Sequence, residues 1–202
     1  MKFAAISEVR AYWEALRNGR PVPLRAEIDP RGIERALEYS FVLERVAPHV
    51  ARFRLAGMHL NDLMGMEVRG MPITAFFTPA ARLRAAEIVD SVFRAPEIVE
   101  LTLAAEAGLG RPAIDARLVL LPLQSDLGDI SRALGCLVAD GTIGRAPRRF
   151  GVTGASATAI EAGRPTFQHR PLVVRGFAES QRPVDGAPKG DRSHLRLVKT
   201  DK

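Results

Sequence analysis

The side chains able to do chemistry in this chain are few and scattered: four histidines and one cysteine among 202 residues. Acyl-transfer hydrolysis needs a nucleophile held beside a base. The sequence offers no Gly-x-Ser-x-Gly elbow and no histidine in a triad-like setting. Glu97 and Glu100 come nearest to a carboxylate pair, but they alternate with apolar residues as solvent-facing strand positions do. Cys136 alone can form neither an intramolecular disulfide nor a clustered cysteine metal site. It lies in an apolar run and reads as a small core residue. No active site can be assembled, so the chain is expected not to be an enzyme.

Two further patterns bear on ligands. Gly151-Val152-Thr153-Gly154-Ala155-Ser156 is similar to the strand-to-glycine turn of short-chain dehydrogenases. A phosphate-binding fingerprint needs more glycines opening a helix and an acidic residue on the next strand. Ala157 to Ile160 supplies no such glycines, and too little chain follows for a dinucleotide-binding domain. The second pattern is charge. The net charge is +6, and it is uneven: residues 145–202 carry 12 basic and 5 acidic side chains, residues 1–144 carry 17 and 18. Arg145, Arg148 and Arg149 form a basic surface that Arg164, Arg170 and Arg175 continue. Such a surface could meet nucleic-acid phosphates, anionic lipid or an acidic protein. Few aromatics interleave for base stacking, and no helix-turn-helix or zinc pattern is visible. A nucleic-acid-associated regulator using the basic tail is therefore the second reading, and a solvated extension the plain one.

The elements that must position any site follow from periodicity. Ile6, Val9, Trp13 and Leu16 mark an amphipathic helix that Gly19 and Pro21 stop. Asp29-Pro30 gives an N-cap and first turn to a second helix with Ile33, Ala36 and Leu37 on its apolar side. Residues 41–46 and the alternating 52–57 read as a hairpin turning near Pro48-His49. Short helices and turns punctuated by Gly65, Gly70 and Pro72 follow. A long helix opens at Thr78-Pro79 and carries Ala85, Ile88, Val89, Val92 and Phe93 on one stripe. Three strands come next, at 99–105, 114–121 and 133–139. The end of the second is apolar on both faces, so something must cover its far side, and the N-terminal helices with Trp13 are the candidates. Two strands, a helical crossover and a three-strand meander predict an α+β fold.

No run approaches the ~18–20 apolar residues that span a bilayer, and charge enters at Glu8 before any apolar stretch of signal-peptide length. Neither membrane insertion nor export is expected, and a single cysteine suits a cytoplasmic home.

The chain from Trp13 to about Phe150 resembles a family of small proteobacterial proteins built around one PAS domain. The likeness rests on Trp13-Glu14-Ala15-Leu16-Arg17 with Gly19-Arg20-Pro21, and on Ile28-Asp29-Pro30-Arg31. It continues through Phe53-Arg54-Leu55-Ala56-Gly57, Gly65-Met66-Glu67 with Gly70, Leu120-Leu121-Pro122-Leu123 and Arg132-Ala133-Leu134-Gly135. The resemblance implies a five-stranded antiparallel sheet with a long helix and short helices on one face. It implies a small cavity between sheet and long helix, holding haem, flavin, a metabolite or nothing. It implies sensing or partner docking as the work, in a stand-alone domain whose output passes through another protein.

On that pattern residues 1–40 are a helical extension, 41–141 the PAS-like domain, 142–178 a partly ordered basic extension and 179–202 a disordered tail. Leu55, Phe76, Val89, Phe93, Leu101 and Leu118 either line the cavity or fill the core. Haem would need an axial histidine on or near the long helix. That helix has none, and His59 at an element boundary reads as a cap or a surface group. The cysteine motif of flavin-adduct sensors is absent. The cofactor is left unknown, with haem and a covalent flavin adduct disfavoured. A protein partner is expected. A homodimer through the N-terminal helix is equally weighted against that helix merely covering the sheet.

Overall fold

The computed structural model describes residues 3–105, 107–161 and 170–171. Helix α1 (Ala4–Arg17) is followed by 3₁₀ turns at Arg25–Glu27 and Pro30–Tyr39. Strands β1 (Ser40–Ala47) and β2 (Val50–Ala56) form the first hairpin, which turns through His49 at φ +61°. The crossover consists of α2 (Met58–Met64), a 3₁₀ turn at Ile73–Phe76 and α3 (Arg82–Arg94). Strands β3 (Glu97–Ala105), β4 (Ile114–Leu123) and β5 (Arg132–Asp140) make the meander. The sheet is antiparallel, in the order β2-β1-β5-β4-β3. This is the PAS-like α+β fold.

The segment expected as a partly ordered basic extension supplies more sheet. Strand β6 (Gly151–Ala159) pairs antiparallel with β3, and the two-residue β7 (Arg170–Pro171) pairs with β6. The chain reaches β6 along the crossover: the Arg148 amide donates to the Leu63 carbonyl at 2.7 Å, and that of Phe150 to Phe76 at 2.8 Å. The expected disordered tail, 179–202, lies outside the described residues, as do Arg164 and Arg175.

The two faces of the sheet bury different layers. On the outer face α1 lays Ile6, Val9 and Trp13 over Val119, Leu121, Leu134 and Cys136. The Trp13 indole N–H donates to the Pro122 carbonyl at 2.9 Å, which satisfies the one polar group of a fully buried ring. The doubly apolar end of β4 is thus explained, and the apolar stripe of α1 covers the sheet. Asp29 caps the following segment by accepting the Arg31 amide at 3.0 Å. That segment is 3₁₀, with a kink at Ile33, where an α-helix is expected.

On the inner face α3 buries Ala85, Ile88, Val89, Val92 and Phe93. The helix itself starts at Arg82; Thr78 to Ala81 forms a separate turn before it. Phe41, Phe53 and Phe76 pack in series here, the first pair edge to face and the second tilted, with ring centroids 5.2 and 5.3 Å apart. Asp90, 2% exposed, ties α3 to the first hairpin. Its carboxylate accepts the Arg45 guanidinium at 2.8 Å and the His49 amide at 3.1 Å, with Arg94 at 3.2 Å.

Candidate functional site

The positions expected around an inner cavity separate into two groups. Phe76, Val89, Phe93, Leu101 and Leu118 are buried, at 2–6% exposure. Leu55 does not join them: it is 52% exposed and stands on the outer face. The cause is a β-bulge. Val42 pairs with Leu55 while its neighbour Leu43 pairs with Phe53, so Arg54 is the extra residue of β2. An unpaired residue breaks the alternation that would have kept Phe53 and Leu55 on one face. Phe53 stays inside at 1% exposure and Leu55 turns out.

Leu55 there borders an open groove of about 590 Å³, in the size range of ligand sites (~300–1,000 Å³). Ile33 and Leu37 of the 3₁₀ segment form one wall. Val42 and Leu134 are the floor, and Met58 at the start of α2 closes one end. Leu37, Leu55 and Met58 are 44%, 52% and 64% exposed. The strip is left bare because α1 lies over β4 and β5, and the 3₁₀ segment buries only Ile33 and Ala36. Two carboxylates, Glu34 and Glu38, also line it. Beyond the floor Glu44 is shared by Arg54 and Arg132, which hold its carboxyl below the usual range despite the opposing effect of burial.

A second, more polar hollow of about 260 Å³ lies by Ile6 on the outer face of β3, β4 and β6. Glu100, Thr102, Arg117 and Ser156 line it, and Leu101 and Leu118 adjoin it while their side chains alternate inward. Its charges are already engaged: Arg10 pairs with Glu100, and Arg117 sits 5.0 Å from the Phe3 ring.

The expected basic surface needs correction at Arg148. That side chain is 2% exposed; its guanidinium donates to the carbonyls of Ile143 and, at 2.5 Å, Pro112. Burial pushes its pKa down, and those carbonyls occupy its donors, so it clasps a loop. Arg145 and Arg149 are exposed. Sequence reasoning also missed Arg17, at 1% exposure, which donates to the carbonyls of Arg20 and Glu161 at 2.8 and 3.0 Å.

His59 serves the sheet. Its Nε2 accepts the Ala139 amide at 3.2 Å, beyond the point where β1 stops pairing with β5. Burial lowers its pKa, which suits a neutral ring accepting that bond. Cys136 is fully buried, and burial pushes its thiol up to about 12. Among the described residues no group of three or more His, Cys, Asp or Glu side chains could hold a metal ion. None of their helices is long and apolar enough to cross a membrane.

A family model described as a PAS domain matches residues 1–138. No curated protein matches the chain, and no solved structure does.

Proposed function

The chain belongs to the PAS domain family, a family of sensing and signalling, and from that premise we propose that it is a sensory or adaptor domain that works by binding a partner protein. The proposal places it in the cytoplasm and gives it no catalytic step. The observation that carries the reading is the bare apolar groove on the outer face, with Leu37, Leu55 and Met58 each more than two-fifths exposed. Exposed apolar strips with a polar border mark interaction sites.

The groove's position suits signalling. Its wall is the 3₁₀ segment, which runs directly into β1. The Asp29 end of that segment is held to α1 by the Tyr12 hydroxyl, which accepts the Asp29 amide at 2.7 Å. A partner pressing on Leu37 would therefore load both the sheet and its helical cover.

The test is titration calorimetry of a purified partner, recovered by affinity capture, against the full chain and its Leu55→Asp variant. Leu55 is exposed, so the variant should fold, which circular dichroism checks. The proposal expects at least a tenfold loss of affinity. Wild-type affinity retained by both Leu55→Asp and Leu37→Asp would overturn the assignment of the groove.

A further inference from the structure

The charge at the groove's border narrows what can lie in it. Among the described residues, the charged side chains lining the groove are Glu34 and Glu38, both exposed and neither in an ion pair. Their situation differs from that of the nearby acids. Glu44 is taken up by Arg54 and Arg132, and Asp29 by Arg31 at 3.0 Å. An occupant therefore meets an apolar floor and one wall that carries two carboxylates with no cationic partner among the described residues, Glu38 being hydrogen-bonded to the Tyr39 side chain.

This pattern discriminates between ligand classes. A fatty acid or a phospholipid would satisfy the floor but bring its own anionic group against Glu34 and Glu38. Nucleic-acid phosphates would be repelled in the same way. A peptide with large apolar side chains and flanking lysine or arginine satisfies both parts, since complementary rim charge steers encounter and penalises wrong partners.

Resting on the reading of the groove as the partner site, we propose that its occupant is a segment of a partner protein with two or more large apolar side chains flanked by basic residues. The apolar side chains cover Leu37, Leu55 and Met58. The basic ones pair with Glu34 and Glu38.

The experiment is selection of displayed random dodecapeptides on the full chain and on Glu34→Lys/Glu38→Lys. Affinities of the selected synthetic peptides are then read by fluorescence anisotropy at low and high salt. The wild-type chain should enrich apolar peptides of net positive charge. Charge reversal should weaken these about tenfold at low salt and less at high salt, as expected for two exposed pairs. Leu55→Asp should weaken them at least tenfold. Peptides without charge bias, indifferent to the reversal but lost with Leu55→Asp, would overturn the proposal and leave the groove reading standing. Peptides indifferent to Leu55→Asp would overturn both. Sedimentation showing a dimer that Leu55→Asp dissociates would replace the proposed occupant with a second copy of the chain.

Discussion

Replacing Gly135 with alanine adds one methyl group where β5 meets the ring of Phe41. A Cβ built there would lie 2.2 and 2.3 Å from two carbons of that ring and 2.9 Å from a third. Ordinary carbon contacts need ~3.5–4.0 Å, so the ring would have to retreat by about 1.5 Å. Phe53 stands behind it, with centroids 5.2 Å apart, and Phe76 stands behind Phe53 at 5.3 Å. All three rings are at most 2% exposed. If the space between sheet and α3 is filled, the strain has nowhere to go, and overpacking costs about 2–3 kcal/mol. At ~2–4 °C per kcal/mol for a chain of this size, the melting temperature should fall by about 4–12 °C. Urea unfolding followed by circular dichroism gives the free energy directly. Phe41→Leu combined with Gly135→Ala should recover about 1 kcal/mol relative to additivity, because the smaller side chain makes room. A Gly135→Ala change within ~0.5 kcal/mol of wild type would refute the reasoning. It would mean that Phe41 has space to move into, and that the inner face holds a cavity.

Three further outcomes follow from single buried groups. Trp13→Phe removes the bond to the Pro122 carbonyl and should cost about 1–3 kcal/mol by urea unfolding, with the sheet's outer cover loosened. Burial pushes the Asp90 carboxyl up, but the His49 amide and Arg45 outweigh it and leave its pKa lowered. Its contribution is therefore complete above the ordinary carboxyl value of ~4 and fades as the pH falls through the lower folded-state value. Asp90→Asn should cost about 2 kcal/mol at neutral pH, and the gap to wild type should close in acid. Cys136, with its thiol pushed up to about 12, should resist iodoacetamide at pH 8 in the native state and react once urea unfolds the chain. Its folded thiol keeps its proton above pH ~9, where the unfolded one loses it, so this group should also lower stability as the pH rises from there.

Much of the fold was legible because local chemistry and tertiary structure agree. The Asp29 cap, the turn at His49 and the apolar stripe of α3 each appear where residue type and spacing place them. The doubly apolar end of β4 even foretold its cover by Trp13. The groove was not legible, because it depends on one bulge. Alternation assigns Leu55 to the side of Phe53, and only the pairing with β1 shows Arg54 to be supernumerary. Arg148 read as a surface charge, and the burial of Arg17 went unread, because their acceptors include main-chain carbonyls remote in sequence: Pro112 for Arg148, Glu161 for Arg17. Strand β6 is built of Gly, Ala, Ser, Thr and Val, and its small residues announce a turn as readily as a strand. Its conformation is decided by the edge of β3.

The central claim is that binding happens on the outer face, at the groove beside β1 and β2. Methyl-resolved NMR of the full chain, titrated with a partner or a selected peptide, tests it most directly. The account predicts shifts concentrated on the methyls of Leu37, Leu55, Met58 and Leu134, with those of Val89, Leu101 and Leu118 unmoved at early additions. Primary shifts at Val89, Leu101 and Leu118, with Leu55 and Met58 unchanged, would contradict it and return the binding site to the space under α3.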